Sequence, residues 1–156
     1  LYGHILEITP QSGDHGIDQM TWMPLILGGP SHEGGTQKGE GWIKNPDNGA
    51  FDPQGGFWVS ADAKASPSEP FGNGLWKCPV DGDDRGQAER FCTVPIGAEP
   101  CGPCFTPDGQ TLFLAIQHPG EGSTWSQPAT RWPDFRSDRP PRPTIIAIER
   151  DDGGII

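Results

Sequence analysis

The chain has 156 residues, enough for one domain with a buried core. Gly (23) and Pro (18) make up about a quarter of it, while six Trp and seven Phe supply apolar bulk that a disordered chain would not carry. The net charge of −10 speaks against a nucleic-acid partner, and carboxylates in such number can hold hard cations such as Ca²⁺.

No apolar run reaches the length of a membrane span, so no membrane partner is expected. The opening residues "LYGHILEI" already read as a strand, without an initiator Met or a signal peptide before them. The chain therefore reads as a piece of a longer protein.

Taken in order, the elements are short strands joined by Pro/Gly turns. "YGHILEITPQSGD" and "MTWMPLILGG" form a first strand pair. "NGAFDPQGGFWVSAD", from Asn48 to Asp62, is a strand, a tight turn and a second apolar strand. "GLWKCPVDGDDRGQAERFCTVP" follows, with strands from Leu75 to Val80 and Glu89 to Val94 around a polar turn. "GPCFTPDGQTLFLAIQ", from Gly102 to Gln117, repeats the earlier hairpin. Phe51 matches Phe105, Pro53 matches Pro107 and Gly55 matches Gly109, at an offset of 54 residues and with one extra residue in the second copy. "RPTIIAIERDDGG" adds a last strand. No window carries a helical stripe of period 3.6.

The strands read as C-D, then A-B-C-D, then A-B-C of four-stranded antiparallel units, where A is the inner strand. The fold class is all-β, a section of a β-propeller of roughly two and a half blades at about 1–44, 45–97 and 98–156. A β-sandwich with two similar hairpins is the alternative.

In such blades the D-to-A and B-to-C connections emerge on one face. Asp47, Asn48, Asp62, Glu99, His118, Glu121 and His4 are then expected around one mouth of a central channel. Carboxylates and an amide oxygen in that setting suit hard cations, which in turn bind an anionic substrate. Each residue also has a plain role as a turn or strand terminus. Glu99 stands out, because an unpaired carboxylate entering the channel there is costly to bury. Asp52 and Asp108 are expected on the opposite face or at blade edges.

The segment "CGPC" has the form of a thioredoxin-like dithiol. That chemistry needs its first Cys at a helix N-terminus, and "FTPDG" cannot continue as a helix. Cys78 and Cys92 do not make a second metal-ligating pair. The expectation is a buried strand residue at Cys104 and an incidental loop thiol at Cys101.

Five stretches carry a resemblance: "YGHILEITPQSGDH", "NPDNGAFDPQGGFWVSAD", "GAEPCGPCFTPDGQTLFLAIQHPGE", "STWSQPATRWPDF" and "RPPRPTIIAIERDDGG". Together they resemble the C-terminal part of the PhoX-type bacterial alkaline phosphatases. The resemblance implies a six-bladed propeller with iron and calcium in its channel. It implies hydrolysis of phosphate monoesters by a periplasmic or secreted protein. It places metal ligands at Asp47, Asn48 and Glu99, and substrate or supporting contacts at Asp62, His118 and Glu121. The chain departs from the family pattern at Gly49, Cys101 and Ala63, where Cys, Thr and Gly are common.

The function expected is thus a metal-dependent alkaline phosphatase whose isolated section is inactive. Two alternatives stand beside it: a non-catalytic propeller with structural calcium, and a lactonase-like calcium-dependent propeller enzyme. Open blade edges point to the rest of the propeller chain as a partner, or to self-association.

Overall fold

The structure is a computed structural model and describes residues 2–35, 42–63 and 72–156. The expected blade segments run through 36–41 and 64–71, which lie outside the described residues. Among the described residues, nine strands form three antiparallel sheets. The first pairs β1 (His4–Pro10) with β2 (Met20–Leu27). The second is the meander β3 (Pro46–Phe51), β4 (Phe57–Ala61), β5 (Gly74–Cys78) and β6 (Glu89–Thr93). The third joins β7 (Glu99–Phe105), β8 (Thr111–Gln117) and β9 (Thr144–Glu149). Among the described residues the only helical segments are two short 3-10 turns, Gln11–Gly13 and Ser31–Glu33. The all-β class and the strand order agree with the sequence reading.

Two cores hold the sheets in series. Side chains of β4 alternate between them, as a pleated strand requires. Val59 and Ala61 join Trp76 and Cys78 of β5 against Leu25 and Ile26 of β2. Trp58 and Leu75 point the other way, to Leu112, Leu114 and Ile116 of β8. The middle sheet is therefore covered on both faces, which is why "FWVSA" is apolar almost throughout while β9 alternates.

The two hairpins share their turn. Gly55 N donates to Asp52 O at 3.0 Å, and Gly109 N donates to Thr106 O at 2.9 Å. Both glycines sit in the left-handed region, at φ 88° and 70°, which excuses them from a Cβ. Asp52, only 4% exposed, is more than an edge residue. It accepts from Gly56 N (2.7 Å), Gln54 N (3.0 Å) and the Trp58 indole N–H (2.9 Å), and pairs with Lys77 Nζ (3.0 Å). Burial works against its charge, but Trp58, Lys77 and Gly56 outweigh it and hold the carboxyl below its usual range.

A second shared feature lies at the start of each hairpin. The register of β3 against β4 slips between Pro46 and Gly49, and that of β7 against β8 slips between Cys101 and Cys104. Such bulges bend a strand and redirect its side chains. The two are neighbours in space: Gly102 N donates to Asn48 Oδ1 at 3.4 Å, and these two residues are equivalent in the repeat.

Candidate functional site

Glu99 is the first residue of β7, directly after the Gly97-Ala98 turn, where Gly97 takes φ 75°. It pairs across the ladder with Gln117, the last residue of β8. The carboxylate is 6% exposed yet fully engaged. Cys101 Sγ donates to Oε1 at 3.2 Å, Gln117 Nε2 donates to Oε2 at 3.3 Å, and His118 Nε2 lies 3.2 Å from Oε2. The other ring nitrogen of His118 is 2.9 Å from the Gly97 carbonyl. Both nitrogens thus face acceptors, an arrangement that favours the doubly protonated imidazolium. Burial opposes that charge, but Gly97 O, Glu99 and Glu121 outweigh it and raise the His118 pKa above its ordinary value. Glu121 Oε2 approaches Nδ1 at 3.8 Å. The turn also places His118 at φ 35°, an uncommon conformation for a non-glycine residue.

The other expected residues arrive from the neighbouring sheet. Asp47 and Asn48 occupy the β3 bulge, where Asn48 Nδ2 donates to the Asp47 carboxylate. Asp47 is exposed, and its carboxylate lies close enough to Cys101 to raise that thiol's pKa. Asp62, at the end of β4, acts on Cys101 in the same way. It is exposed, and Asn45 Nδ2 donates to its carbonyl at 3.1 Å. Glu99 therefore touches Cys101 and His118 directly, Glu121 stands beside His118, and Asp47 and Asp62 reach Cys101 only through their charge. His4 is an exposed residue at the start of β1.

The two cysteines of "CGPC" both lie in β7, so Cys104 is the strand residue expected but is not buried, and Cys101 is not the loop thiol expected. Cys104 is exposed, and Cys101 is a partly buried strand residue inside the acidic cluster. The reason is the bulge. Its extra residue shifts the strand's parity, so that Cys101 and Cys104 stand opposite Ala115 and Phe113 on one face while Pro103 is buried. Burial, the hydrogen bond and charge of Glu99, and the charges of Asp47 and Asp62 push the Cys101 thiol up to about 12. It is a protonated donor and not a reactive thiolate.

Sequence reasoning passed over Asn73. Its Oδ1 accepts from Ala63 N at 2.5 Å and its Nδ2 donates to Ala98 O at 2.9 Å. This buried amide ties the end of β4 to the residue before Glu99. Its only sequence signal was a place in a Gly-rich turn. A cleft of about 630 Å³ opens beside these groups, with Asp62, Asn73, Arg90, His118 and Glu121 among its walls.

The donors are oxygen-rich, of the kind that suits calcium. Among the described residues, no group of three or more His, Cys, Asp or Glu side chains is gathered closely enough to hold a metal ion.

A family model described as alkaline phosphatase PhoX matches residues 1–120. The chain belongs to the PhoX alkaline phosphatase family. No curated protein sequence matches it. Among solved structures it is similar to Pseudomonas fluorescens PhoX in complex with vanadate, a transition state analogue, at 30% identity and a TM-score of 0.84. The likeness covers 99% of this chain and 27% of that one, so the chain spans about a quarter of the length of the solved PhoX. The residues matched to the PhoX family include Asp47, Asn48, Asp62, Glu99 and His118, while Glu121 falls just past them.

Proposed function

We propose that this chain is part of a metal-dependent alkaline phosphatase acting on phosphate monoesters, and that its three sheets are consecutive blades of a propeller. The observation that carries the reading is the group of carboxylates acting on Cys101 in a chain of the PhoX family: Glu99 accepts from its thiol at 3.2 Å, while Asp47 on the β3 bulge and Asp62 just past β4 act on it through their charge. Carboxylates alone repel a phosphate ester. Cations held among them reverse the sign of the local field.

Asp47, Asn48 and Glu99 would hold calcium, and the remaining ligands, with those for iron, would come from the rest of the longer chain. Bound there, such cations would supply positive charge against the phosphate oxygens. The chain's own residues set the geometry. His118, Gln117 and Cys101 fix the Glu99 carboxylate, and His118 is fixed in turn by the Gly97 carbonyl. Such support fixes the orientation of a ligand before a metal arrives. Asp62 and Glu121 stand at the rim, in reach of water or substrate bound in the cleft. Export to the periplasm or beyond belongs to the same proposal.

The test is substrate profiling of the full-length protein after chelation and after return of calcium and iron. Phosphate esters should be hydrolysed only in the reloaded protein, and lactones not at all. This 156-residue chain alone should release no phosphate. Turnover of lactones but not phosphate esters would favour the lactonase-like alternative, and no turnover of either would favour the non-catalytic one.

A further inference from the structure

A second cleft shares the His118–Glu121 turn with the first. The long connection between β8 and β9 encloses it. It measures about 340 Å³, and His118, Trp125, Pro128, Arg131 and Pro141 are among its walls. Trp125 is 58% exposed and lines this cleft. The Arg131 guanidinium carbon lies 5.8 Å from the Trp125 ring centroid.

This cleft is built and not improvised. Arg131 Nη1 donates to the carbonyls of Arg136 (3.3 Å), Ser137 (3.2 Å) and Arg139 (3.3 Å), so one cation knits the loop. Arg142 holds Asp134 through two bonds of 2.9 Å each. Trp132 anchors the connection in the core beside Leu112 and Leu114. The proline walls are stiff and apolar and offer no N–H to water. A preformed cleft with proline walls, one aromatic plate and a few polar groups, Arg131, His118 and Glu121, has the character of a small-molecule site.

Its position suggests the occupant. His118 lines this cleft, lines the cleft that holds Asp62 and Asn73, and touches Glu99. A phosphate seated by the acidic cluster would have its organic group directed across His118. We infer that the Trp125 cleft receives the leaving group of the phosphate ester and selects planar aromatic groups, which stack on the indole under the field of Arg131. This rests on the phosphatase reading.

The experiment compares naphthyl phosphate with glycerol phosphate as substrates of the full-length metal-loaded protein. In Trp125→Ala the ratio of kcat/KM values, naphthyl over glycerol, should fall about three- to tenfold, the worth of one ring–ring contact. Trp125→Phe should keep the ratio within about twofold. An unchanged ratio in Trp125→Ala overturns the inference. Titration with naphthol, which has no phosphate, separates this from the phosphatase reading. If neither ester is hydrolysed, the phosphatase reading falls, yet weaker naphthol binding in Trp125→Ala than in wild type still supports the cleft. Equal naphthol affinity in the two proteins overturns it.

Discussion

Glu99 shows how a buried carboxylate is held in one orientation by its neighbours. Three side chains donate to or face its two oxygens, and each is itself placed by β7, β8 or the turn after β8. Cys101 is the least expected of them. A thiol beside three carboxylates cannot ionise easily, and it therefore serves as a donor. Its reactivity should reflect this. In the native full-length protein at about pH 8, iodoacetamide should alkylate Cys101 far more slowly than the exposed Cys104, and denaturation should remove the difference. Equal native rates, read by mass spectrometry, would contradict the electrostatic account of the cluster.

At the scale of elements, the hairpins were legible and the bulges were not. Turn chemistry is local: "FDPQG" and "FTPDG" announce a Pro/Gly turn between apolar strands whatever surrounds them. The parity of a strand beyond a bulge depends on its partner's register, which no single strand carries. Hence the strand order is legible in the sequence while the burial of Cys101 and the exposure of Cys104 are not. The burial of Asp52 is hidden from the sequence for a related reason. Its place in the turn was evident, but its contact with Lys77 depends on the pairing of β4 with β5. That contact gives a prediction. Asp52→Asn should cost about 1–3 kcal/mol by chemical denaturation at neutral pH, because Lys77 and the turn N–H groups lose a charged acceptor. The Asp52 carboxyl is held below its unfolded value, so its contribution is full above about pH 4 and is lost as pH falls through the folded pKa. The wild type should therefore lose more stability than Asp52→Asn on moving from neutral to acid pH. Parallel pH profiles for the two proteins would contradict this.

At the scale of the molecule, three sheets in series bury their inner faces and leave outer apolar faces bare. On the first sheet, Leu6, Ile8, Met20 and Trp22 are exposed, Trp22 at 68%. On the third, Phe113 and Ile145 are exposed. The solved PhoX is a much longer chain than this one. Expressed alone, the 156 residues should self-associate through these faces, and Trp22→Ser combined with Ile8→Ser should shift the population toward monomer. A wild-type chain that stays monomeric in analytical ultracentrifugation would contradict this. The family was legible in the sequence from five separated stretches, because motifs survive where pairing geometry is hidden. The connection between β8 and β9 was legible only as part of that resemblance. Its shape depends on Arg131 and on Asp134 with Arg142, contacts that no period or turn signal announces.

The central claim is that Glu99 is a ligand in a metal-dependent phosphatase site and not merely a buried strand residue. The most direct measurement is phosphate release from naphthyl phosphate by the full-length protein and its Glu99→Gln variant, with bound calcium and iron determined on the same samples. The account predicts that Glu99→Gln loses about a hundredfold or more in turnover together with bound metal. A folded Glu99→Gln protein with wild-type turnover and wild-type metal content would contradict it.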